Sequence, residues 1–226
     1  MAHVAVIVPV LDELAQLPAL GSELARLGAR AEVVIVDGGS RDGTRAALDR
    51  LGLPVVDAPR GRATQMNAGA RATSAPTLLF LHADTRLPDG AVDSVAEAID
   101  GGAAGGCFRV RIDSPDPRLA VAAHIINWRA RLWASASGDQ ALFVRRDLFE
   151  RLGGYRELAL CEDLDFVTRL ARLGRFTVVD DEVVTSARRW HGHGVARTIL
   201  LMWTLRLGFR LGVNPTRLAR WYRDAR

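Results

Sequence analysis

The sequence predicts a single α/β domain whose mostly parallel central sheet is flanked by helices. In the first hundred residues, short apolar runs rich in Val and Ile alternate with longer segments of helical periodicity. These runs are continuously apolar, which is typical of strands buried on both faces of a parallel sheet. At 226 residues, the chain is long enough for one such domain with a large core.

Strands and helices alternate regularly in residues 1–100. The strands are predicted at His3–Val8, Glu32–Val36, Pro54–Val56 and Thr77–Leu81, and the helices at Glu13–Gly28, Gly43–Leu51 and Arg62–Thr73. Strands joined by crossover helices run in the same direction, so this half predicts right-handed βαβ units.

The regular alternation of strands and helices ends in residues 101–226. This half predicts an alternating, antiparallel-type strand at Gly105–Ile112, a helix at Leu119–Leu132, a short strand at Ala141–Val144, a helix at Glu162–Leu173, a pair of short strands over Arg175–Thr185 and a helix at Val195–Gly212. In the last helix, Trp203, Leu207 and Leu211 form an apolar stripe beside Arg206 and Arg210. We expect this helix to pack on the domain, the alternative being an interfacial helix that meets anionic lipid.

Composition narrows the possible partners. The formal net charge is +4, and all 30 basic residues are Arg, whose planar fork suits diphosphate recognition. The Arg residues are interleaved with Leu and Ala, as in Leu164–Arg175, so no nucleic acid partner is expected.

Two cysteines suit a reducing cytosol. No basic leader and no window of about 18 apolar residues is found. We therefore expect a cytoplasmic protein that is at most peripheral to the inner face of the membrane.

The stretch Thr77–Thr85 is the most informative part of the chain. It is an apolar run of strand length that ends in His82 and Asp84, and residues two apart on a strand can reach the same side. Open α/β sheets bind ligands at the carboxyl ends of their strands, where an acid can hold a divalent cation against a diphosphate. The alternative is a turn in which Asp84 caps the next segment.

Two other strand ends and one helix carry further candidates. Pro9 and Glu13 follow the first strand, and Asp37 ends the second strand in a glycine turn. Arg62 and Asn67 lie in a glycine-framed segment and could contact a ligand at the same edge. The alternatives are ordinary turn chemistry and a helix with a small-residue packing face.

Asp163 is the candidate for a base. On a helix that begins near Glu162, Asp163 shares a face with the buried stripe Phe166–Leu170, whereas Glu162 lies nearer the polar side with Asp165. A carboxylate at such a helix start is either a partner of the helix dipole or a positioned base.

The order of these motifs resembles that of family-2 glycosyltransferases. It runs Pro-x-x-Asp-Glu from Pro9, Val-Asp-Gly-Gly-Ser-x-Asp-Gly-Thr from Val36, Asn-x-Gly from Asn67 and His-Ala-Asp from His82. Segments 138–140, 153–155, 161–163 and 188–190 fit as well, and the combination is most similar to the radical-SAM/selenodomain-associated transferase branch. The resemblance implies a Rossmann-like GT-A fold, with a nucleotide-sugar donor on residues 1–100 and an acceptor on residues 101–226. It also implies inverting transfer with Mg²⁺ or Mn²⁺.

The resemblance also implies roles for individual residues. Glu13 and Asp37 would contact the nucleoside, Asp84 would be the metal-binding member of the DxD motif, and Asp163 would deprotonate the acceptor. The remaining donor-side candidates are Pro9, Arg62, Asn67 and His82, and the acceptor-side candidates are Asp139, Gln140, Glu162 and Trp190.

Several of these roles stay open. Asp139 and Gln140 could equally form a plain loop, and Trp190 is more typical of a core. His193, with His191 beside it, could complete the metal site or form a flexible glycine hinge.

Four positions depart from the family pattern. Leu11 stands where an aromatic or polar residue is usual, which weakens stacking on the nucleobase. Gly38 replaces a common Asp, which leaves the nucleobase open, and His82 replaces the first Asp of DxD, which leaves a ribose or a metal contact open. Ser186 replaces the Gln of the Gln-x-x-Arg-Trp motif of processive synthases, so processive polymerisation is not expected.

Two other classes of function remain. A nucleotidyltransferase would want basic residues around a triphosphate and would not need Asp163. A non-catalytic nucleotide-sugar-binding module would tolerate loss of Asp163. The sugar and the acceptor, whether small molecule or lipid-linked, stay open.

Overall fold

The strands form one continuous sheet. The computed structural model describes residues 3–52, 54–188, 190 and 194–224. The strands within these ranges are β1 (Val4–Val10), β2 (Glu32–Asp37), β3 (Val55–Asp57), β4 (Thr77–Phe80), β5 (Thr85–Arg86), β6 (Gly105–Asp113), β7 (Leu142–Arg145) and β8 (Phe176–Ser186). They lie in the order β3-β2-β1-β4-β7-β6-β8-β5.

The sheet is mostly parallel. Strands β1 to β4 pair in parallel, as do β6 and β8, whereas β7 is antiparallel to β4 and β6 and β5 to β8. Helices cover both faces, so the predicted α/β class is confirmed. The helices are α1 (Leu17–Gly28), α2 (Thr44–Arg50), α3 (Arg62–Arg71), α4 (Ala91–Asp100), α5 (Pro117–Trp133), α6 (Arg146–Arg151), α7 (Glu162–Leu170), α8 (Val195–Arg210) and α9 (Pro215–Asp224).

Side-chain alternation along β1 divides the core between the two faces of the sheet. Val6 and Val8 belong to the cluster that α1 and α4 cover, while Ala5 and Ile7 belong to the cluster that α3, α6 and α7 cover. Successive strand residues point to opposite faces, so a continuously apolar strand supplies both clusters. This agrees with the predicted double burial.

Helix α3 approaches the sheet closely at Gly69. A Cβ at this position would overlap Cγ2 of Ile7 and lie 3.0 Å from Cγ2 of Val36. Both neighbours are β-branched and therefore stiff. The glycine of the Asn-x-Gly motif is thus a packing requirement.

A single strand replaces the expected pair of short strands over Arg175–Thr185, so that prediction is wrong. Strand β8 runs from Phe176 to Ser186, and its register against β6 shifts between Phe108 and Arg109, which pair with Val179 and Glu182. The bulge accommodates the two acidic residues 180 and 181 within the strand. Strand β6 is also mainly parallel in its pairing, since it meets antiparallel β7 only at Gly105 and Gly106.

The predicted helix over residues 13–28 is divided in two. A 3₁₀ turn at Leu14–Gln16 precedes α1, which has a proline in its first turn. Proline is favoured at such a helix start, so the helix begins later than the periodicity indicates. Elements β5, α4, α6 and α9 were not predicted.

Helix α8 packs on the domain as expected, but its apolar stripe is not the face that packs. Trp203, Leu207 and Leu211 are 57%, 59% and 74% exposed, while Val195 and Leu205 are buried. The helix packs through its other face, against α5 and α9. Among the described residues, no helix is long and apolar enough to cross a membrane.

Gly69→Ala should destabilise the fold. Overpacking costs about 1–3 kcal/mol, which offsets or exceeds the gain of ~0.8–1 kcal/mol that Ala brings to a helix. Thermal unfolding should show a lower Tm, by about 2–4 °C for each kcal/mol lost. Gly28→Ala is the control, because nothing lies within 4 Å of a Cβ at Gly28. Equal melting temperatures for both variants would contradict the close packing of α3.

Candidate functional site

Three potential metal ligands meet at the edge of the sheet where β1, β2 and β4 end. Ligand atoms of His82, Asp84 and Asp139 all lie within 4.8 Å of one another. His82 is 5% exposed, and its Nδ1 lies 3.3 Å from Oδ1 of Asp139. His82 and Asp84 converge through a turn closed by Thr85 N–H to His82 O at 3.0 Å, since β4 already ends at Phe80. The expected convergence is present, but a turn produces it.

Asp139 reaches this edge because β7 is antiparallel to β4. The 3₁₀ turn Gly138–Gln140 immediately precedes β7, so the amino end of β7 lies beside the carboxyl end of β4, with Leu142 opposite Phe80. From the sequence we assigned Asp139 to the acceptor and named Asp84 and His193 as ligands. His193, like His191, lies outside the described residues.

Asp163 lies beside this group at the start of α7. It is 8% exposed, and its Oδ2 accepts a hydrogen bond from Gly138 N–H at 2.8 Å. Its Oδ1 is buried and has no hydrogen-bond partner among the residues that the structure describes. A Cβ on Gly138 would overlap His82 Nε2 and lie 2.8 Å from Asp163 Oδ2. The ligand group and the candidate base therefore meet at one glycine.

Glu162 is buried next to Asp163, which corrects its expected place on the polar side of α7. The helix begins after Cys161, whose φ is +68°, and its first turn faces the site, so both carboxyl groups are covered. Burial raises the pKa of Glu162 to about 7, and the charge of Asp163 adds to the rise, while Arg62 opposes it. Glu162 therefore takes up a proton more readily than an exposed glutamate does.

Glu13, a donor-side candidate from the sequence, lies at the same edge. Its Oε2 accepts from Nη2 of Arg188 at 3.4 Å. Burial raises the pKa of Glu13, Arg188 lowers it, and the charge of Asp84 raises it further. Glu13 and Asp84 therefore sense each other's charge, as expected for candidates at neighbouring strand ends. Exposed Arg62 begins α3 at this edge.

Asp37 is engaged within its own turn. It accepts hydrogen bonds from the backbone N–H groups of Gly39 at 3.1 Å and Ser40 at 3.0 Å. It is buried, at the carboxyl end of β2, where it pairs in register with Val10 of β1. Half-buried Pro9 precedes Val10.

Three further candidates have scaffold contacts. The Asn67 amide donates to Tyr155 O at 2.8 Å and accepts from Tyr155 N–H at 2.9 Å, which ties α3 to the loop after α6. Gln140 is fully buried and donates to Phe108 O at 3.2 Å. Trp190 packs on the apolar cluster around Leu119. The contacts of these side chains are with the surrounding fold.

Gln65 is a buried residue that the sequence did not single out. Its Nε2 donates to Val10 O at 2.8 Å and Val36 O at 2.9 Å, across the ends of β1 and β2. A Cβ on Gly38 would lie 2.9 Å from Gln65 Oε1. Gly38, the departure from the common Asp, thus leaves room for the Gln65 amide.

Glu162→Gln should change how stability depends on pH. A carboxyl group whose pKa rises from 4.5 to about 7 on folding binds more protons in the native state, so it lowers stability as pH rises through that window. The variant should therefore gain unfolding free energy relative to the wild type between pH 4.5 and 7. Chemical denaturation in EDTA at several pH values measures this gain. Exposed Glu157→Gln is the control, and parallel curves for Glu162→Gln would contradict the burial effect.

Comparisons with known proteins agree with this architecture. The mannosyltransferase PcManGT from Pyrobaculum calidifontis, solved in complex with GDP-Man and Mn²⁺, has a TM-score of 0.69 at 21% identity, over 96% of this chain and 68% of that chain. S. aureus TarS 1–349 in complex with UDP-GlcNAc has a TM-score of 0.64 at 19% identity, over 82% of this chain and 58% of that chain. This chain thus spans less than two thirds of TarS 1–349. At these identities the likeness shows the fold alone.

The sequence itself carries the family assignment. No curated protein matches it. The model of the family described as Glycosyl transferase family 2 matches residues 5–159, more than half of the chain, including the ends of β1, β2 and β4 and the turn of Asp139. The chain therefore belongs to glycosyl transferase family 2.

Proposed function

We propose that this protein is an inverting glycosyltransferase that moves a sugar from a nucleotide-diphosphate sugar to an acceptor hydroxyl or carboxylate, with Asp163 as the general base. The observation that carries the proposal is the setting of Asp163. One carboxylate oxygen is held by Gly138 N–H at 2.8 Å, while the other is buried and unpartnered within the described ranges. An oriented carboxylate with one oxygen that accepts no hydrogen bond is suited to accept a proton.

The displacement needs one proton acceptor and one leaving group. The acceptor oxygen forms a bond to the anomeric carbon as the bond from that carbon to the diphosphate oxygen breaks. The proton of an acceptor hydroxyl passes to Asp163 Oδ1, and the nucleoside diphosphate leaves with the electron pair. Attack from the side opposite the diphosphate inverts the anomeric carbon. General-base assistance of this kind contributes ~10²–10⁴-fold.

The group of His82, Asp84 and Asp139 fits Mg²⁺ or Mn²⁺. Both ions favour carboxylate oxygens, and Mn²⁺, as a transition metal, is the more tolerant of an imidazole ligand. The Mn²⁺ complex of PcManGT supports this choice. When bound, such a cation would offset the negative charge of the diphosphate.

Arginines at the rim support a phosphate-bearing donor. Arg188 pairs with Glu13, and Arg62 is exposed at the start of α3. Guanidinium groups bind phosphate oxygens in pairs. The motif order additionally supports membership of the radical-SAM/selenodomain-associated branch, which stays a prediction.

A thermal-shift screen should find a metal-dependent donor. We expect one of UDP, GDP, UDP-GlcNAc or GDP-Man, with Mn²⁺, to raise the Tm by roughly 5–10 °C at 100 times its Kd. EDTA should abolish the shift, and Asp84→Asn should reduce it by removing a candidate ligand. Asp89→Asn, at an almost fully exposed position paired with Arg26, should keep it. A shift that is insensitive to EDTA would remove the metal-dependent donor site.

Asp163→Asn should separate binding from chemistry. Asn can still accept a hydrogen bond from Gly138 N–H, so the fold and the donor shift should persist. It cannot accept a proton, so sugar transfer from the donor found above, to an acceptor or to water, should fall at least ~10²-fold.

Asp165→Asn is the control on the same helix. Asp165 pairs with Arg156 and Arg169 and has no contact with the ligand group among the hydrogen bonds of the described residues. Its variant should keep normal transfer. Normal transfer by Asp163→Asn would instead assign the base elsewhere.

A further inference from the structure

A cavity of about 710 Å³ lies between α5, α7 and α8. This volume is in the range of small-molecule sites. Its wall is largely apolar and aromatic, and includes Trp133, Leu200, Trp203, Leu207 and Phe209. The mechanism above assigns no role to these residues.

Three arginines, Arg129, Arg206 and Arg210, line the same cavity. Nη2 of Arg129 and Nη1 of Arg206 are buried, with no hydrogen-bond partner in the parts of the chain that the structure describes. Arg129 is oriented by its Nε, which donates to Ser135 O at 3.0 Å. Buried guanidinium donors without acceptors cost free energy, and an oxyanion would satisfy them with charge-assisted hydrogen bonds.

Burial and mutual repulsion disfavour the charged forms of these arginines. Burial lowers the pKa of Arg129 to about 9, and the neighbouring charges of Arg206 and Arg210 add to the effect. Burial also lowers the pKa of Arg206. A bound anion would counter both the desolvation and the mutual repulsion.

The cavity adjoins the proposed base. Leu164, the residue after Asp163, lines it, and the charges of Asp139 and Asp163 act on Arg206. The cavity therefore lies beside the first turn of α7, which carries Asp163.

The apolar wall continues onto the surface of the protein. Trp203 and Leu207 line the cavity and are also more than half exposed. On α5, exposed Trp128 contacts Trp133 edge-on, with ring centroids 5.1 Å apart. A hydrocarbon chain leaving the cavity would meet this apolar surface.

We propose that this cavity is the acceptor site and that the acceptor is an amphiphile with a phosphate in its head group and a separate hydroxyl, which attacks the sugar and gives its proton to Asp163. The phosphate pairs with Arg129 and Arg206, and the apolar chain lies along Trp133, Trp203 and Leu207. The role of the cavity as an acceptor site rests on the function proposed above. The binding of a phosphate amphiphile rests on the residues of the cavity alone. Three arginines line the cavity. A phosphate monoester carries about −1.5 to −2 charges at pH 7 and a carboxylate only one, so phosphate neutralises these arginines better.

Calorimetric titration with decyl phosphate, below its critical micelle concentration, tests the site. We expect saturable binding that Arg206→Gln and Leu207→Ala each weaken by about ten-fold or more. The matched controls lie on or just beyond the same helix. Arg197 is exposed and Leu211 is 74% exposed, and neither lines the cavity. Arg197→Gln and Leu211→Ala should change the affinity less than two-fold. Equal losses in all four variants would overturn the proposal.

Chemically simpler probes separate the head group from the chain. Inorganic phosphate and decanol should each bind at least ten-fold more weakly than decyl phosphate, and decanoate should bind more weakly than the phosphate. Equal binding of inorganic phosphate would show that the apolar wall is irrelevant. Equal binding of decanol, or tighter binding of decanoate, would overturn the phosphate assignment.

Thermal stability distinguishes a ligand-binding arginine from a structural one. Arg206→Gln relieves a desolvated charge, so its Tm should stay equal to that of the wild type or rise, whereas a structural arginine would lower it. The thermal shifts of decyl phosphate and of the nucleotide donor should add. Competition between them would assign the amphiphile to the donor site. If a nucleotide donor raises the Tm but decyl phosphate does not bind, this acceptor site is refuted and the proposed function is not. If decyl phosphate binds but no nucleotide donor raises the Tm, the proposed function fails instead.

Discussion

The convergence of the site depends on the absence of a side chain at Gly138. The N–H of Gly138 donates to Asp163, and a Cβ there would overlap the ring of His82. One position thus holds the loop after β4 and the start of α7 at contact distance. A larger residue would push His82 and Asp163 apart and would disturb the group of potential metal ligands and the proposed base together. Displacements of about 1 Å can lower a rate by ~10²-fold, so this close contact bears directly on the proposed transfer.

The topology of the sheet supplies the second half of the site. Parallel strands bring their carboxyl ends to one edge, which suits residues that follow strands, such as His82 and Asp84. Asp139 instead precedes its strand, and it reaches the same edge only because β7 is antiparallel to β4. Had β7 been parallel, Asp139 would have lain at the opposite edge. Strands of both directions therefore contribute to one group of potential ligands, while α7 brings the buried carboxyl groups of Glu162 and Asp163 beside it.

The parts that the sequence predicted well are local in origin. The βαβ half and the meeting of His82 with Asp84 follow from apolar periodicity and from spacing along one segment. The parts that it missed depend on partners distant in the chain. In the sequence, Gln65 is an ordinary helical residue. Its role depends on the carbonyl groups at the ends of β1 and β2, to which its amide donates. Asn67, expected at the donor, is engaged by Tyr155, 88 residues away. The apolar stripe of α8 has the right period for burial, but a helix with two apolar faces does not reveal which of them packs.

The pairing of Gly38 with Gln65 has an evolutionary consequence. The amide of Gln65 crosses the ends of two strands and occupies the space that a side chain at position 38 would need. Restoring the Asp of the common motif by a single substitution would crowd that amide and leave two strand carbonyls without their donor. A smaller residue at 65 would remove the crowding, yet alone it would open a polar gap between β1 and β2. Each single substitution would lower the stability of the fold, whereas the double substitution would fit. The two positions should therefore covary among relatives of this chain. A lineage that has acquired the Gly and Gln pair is thereby held to it.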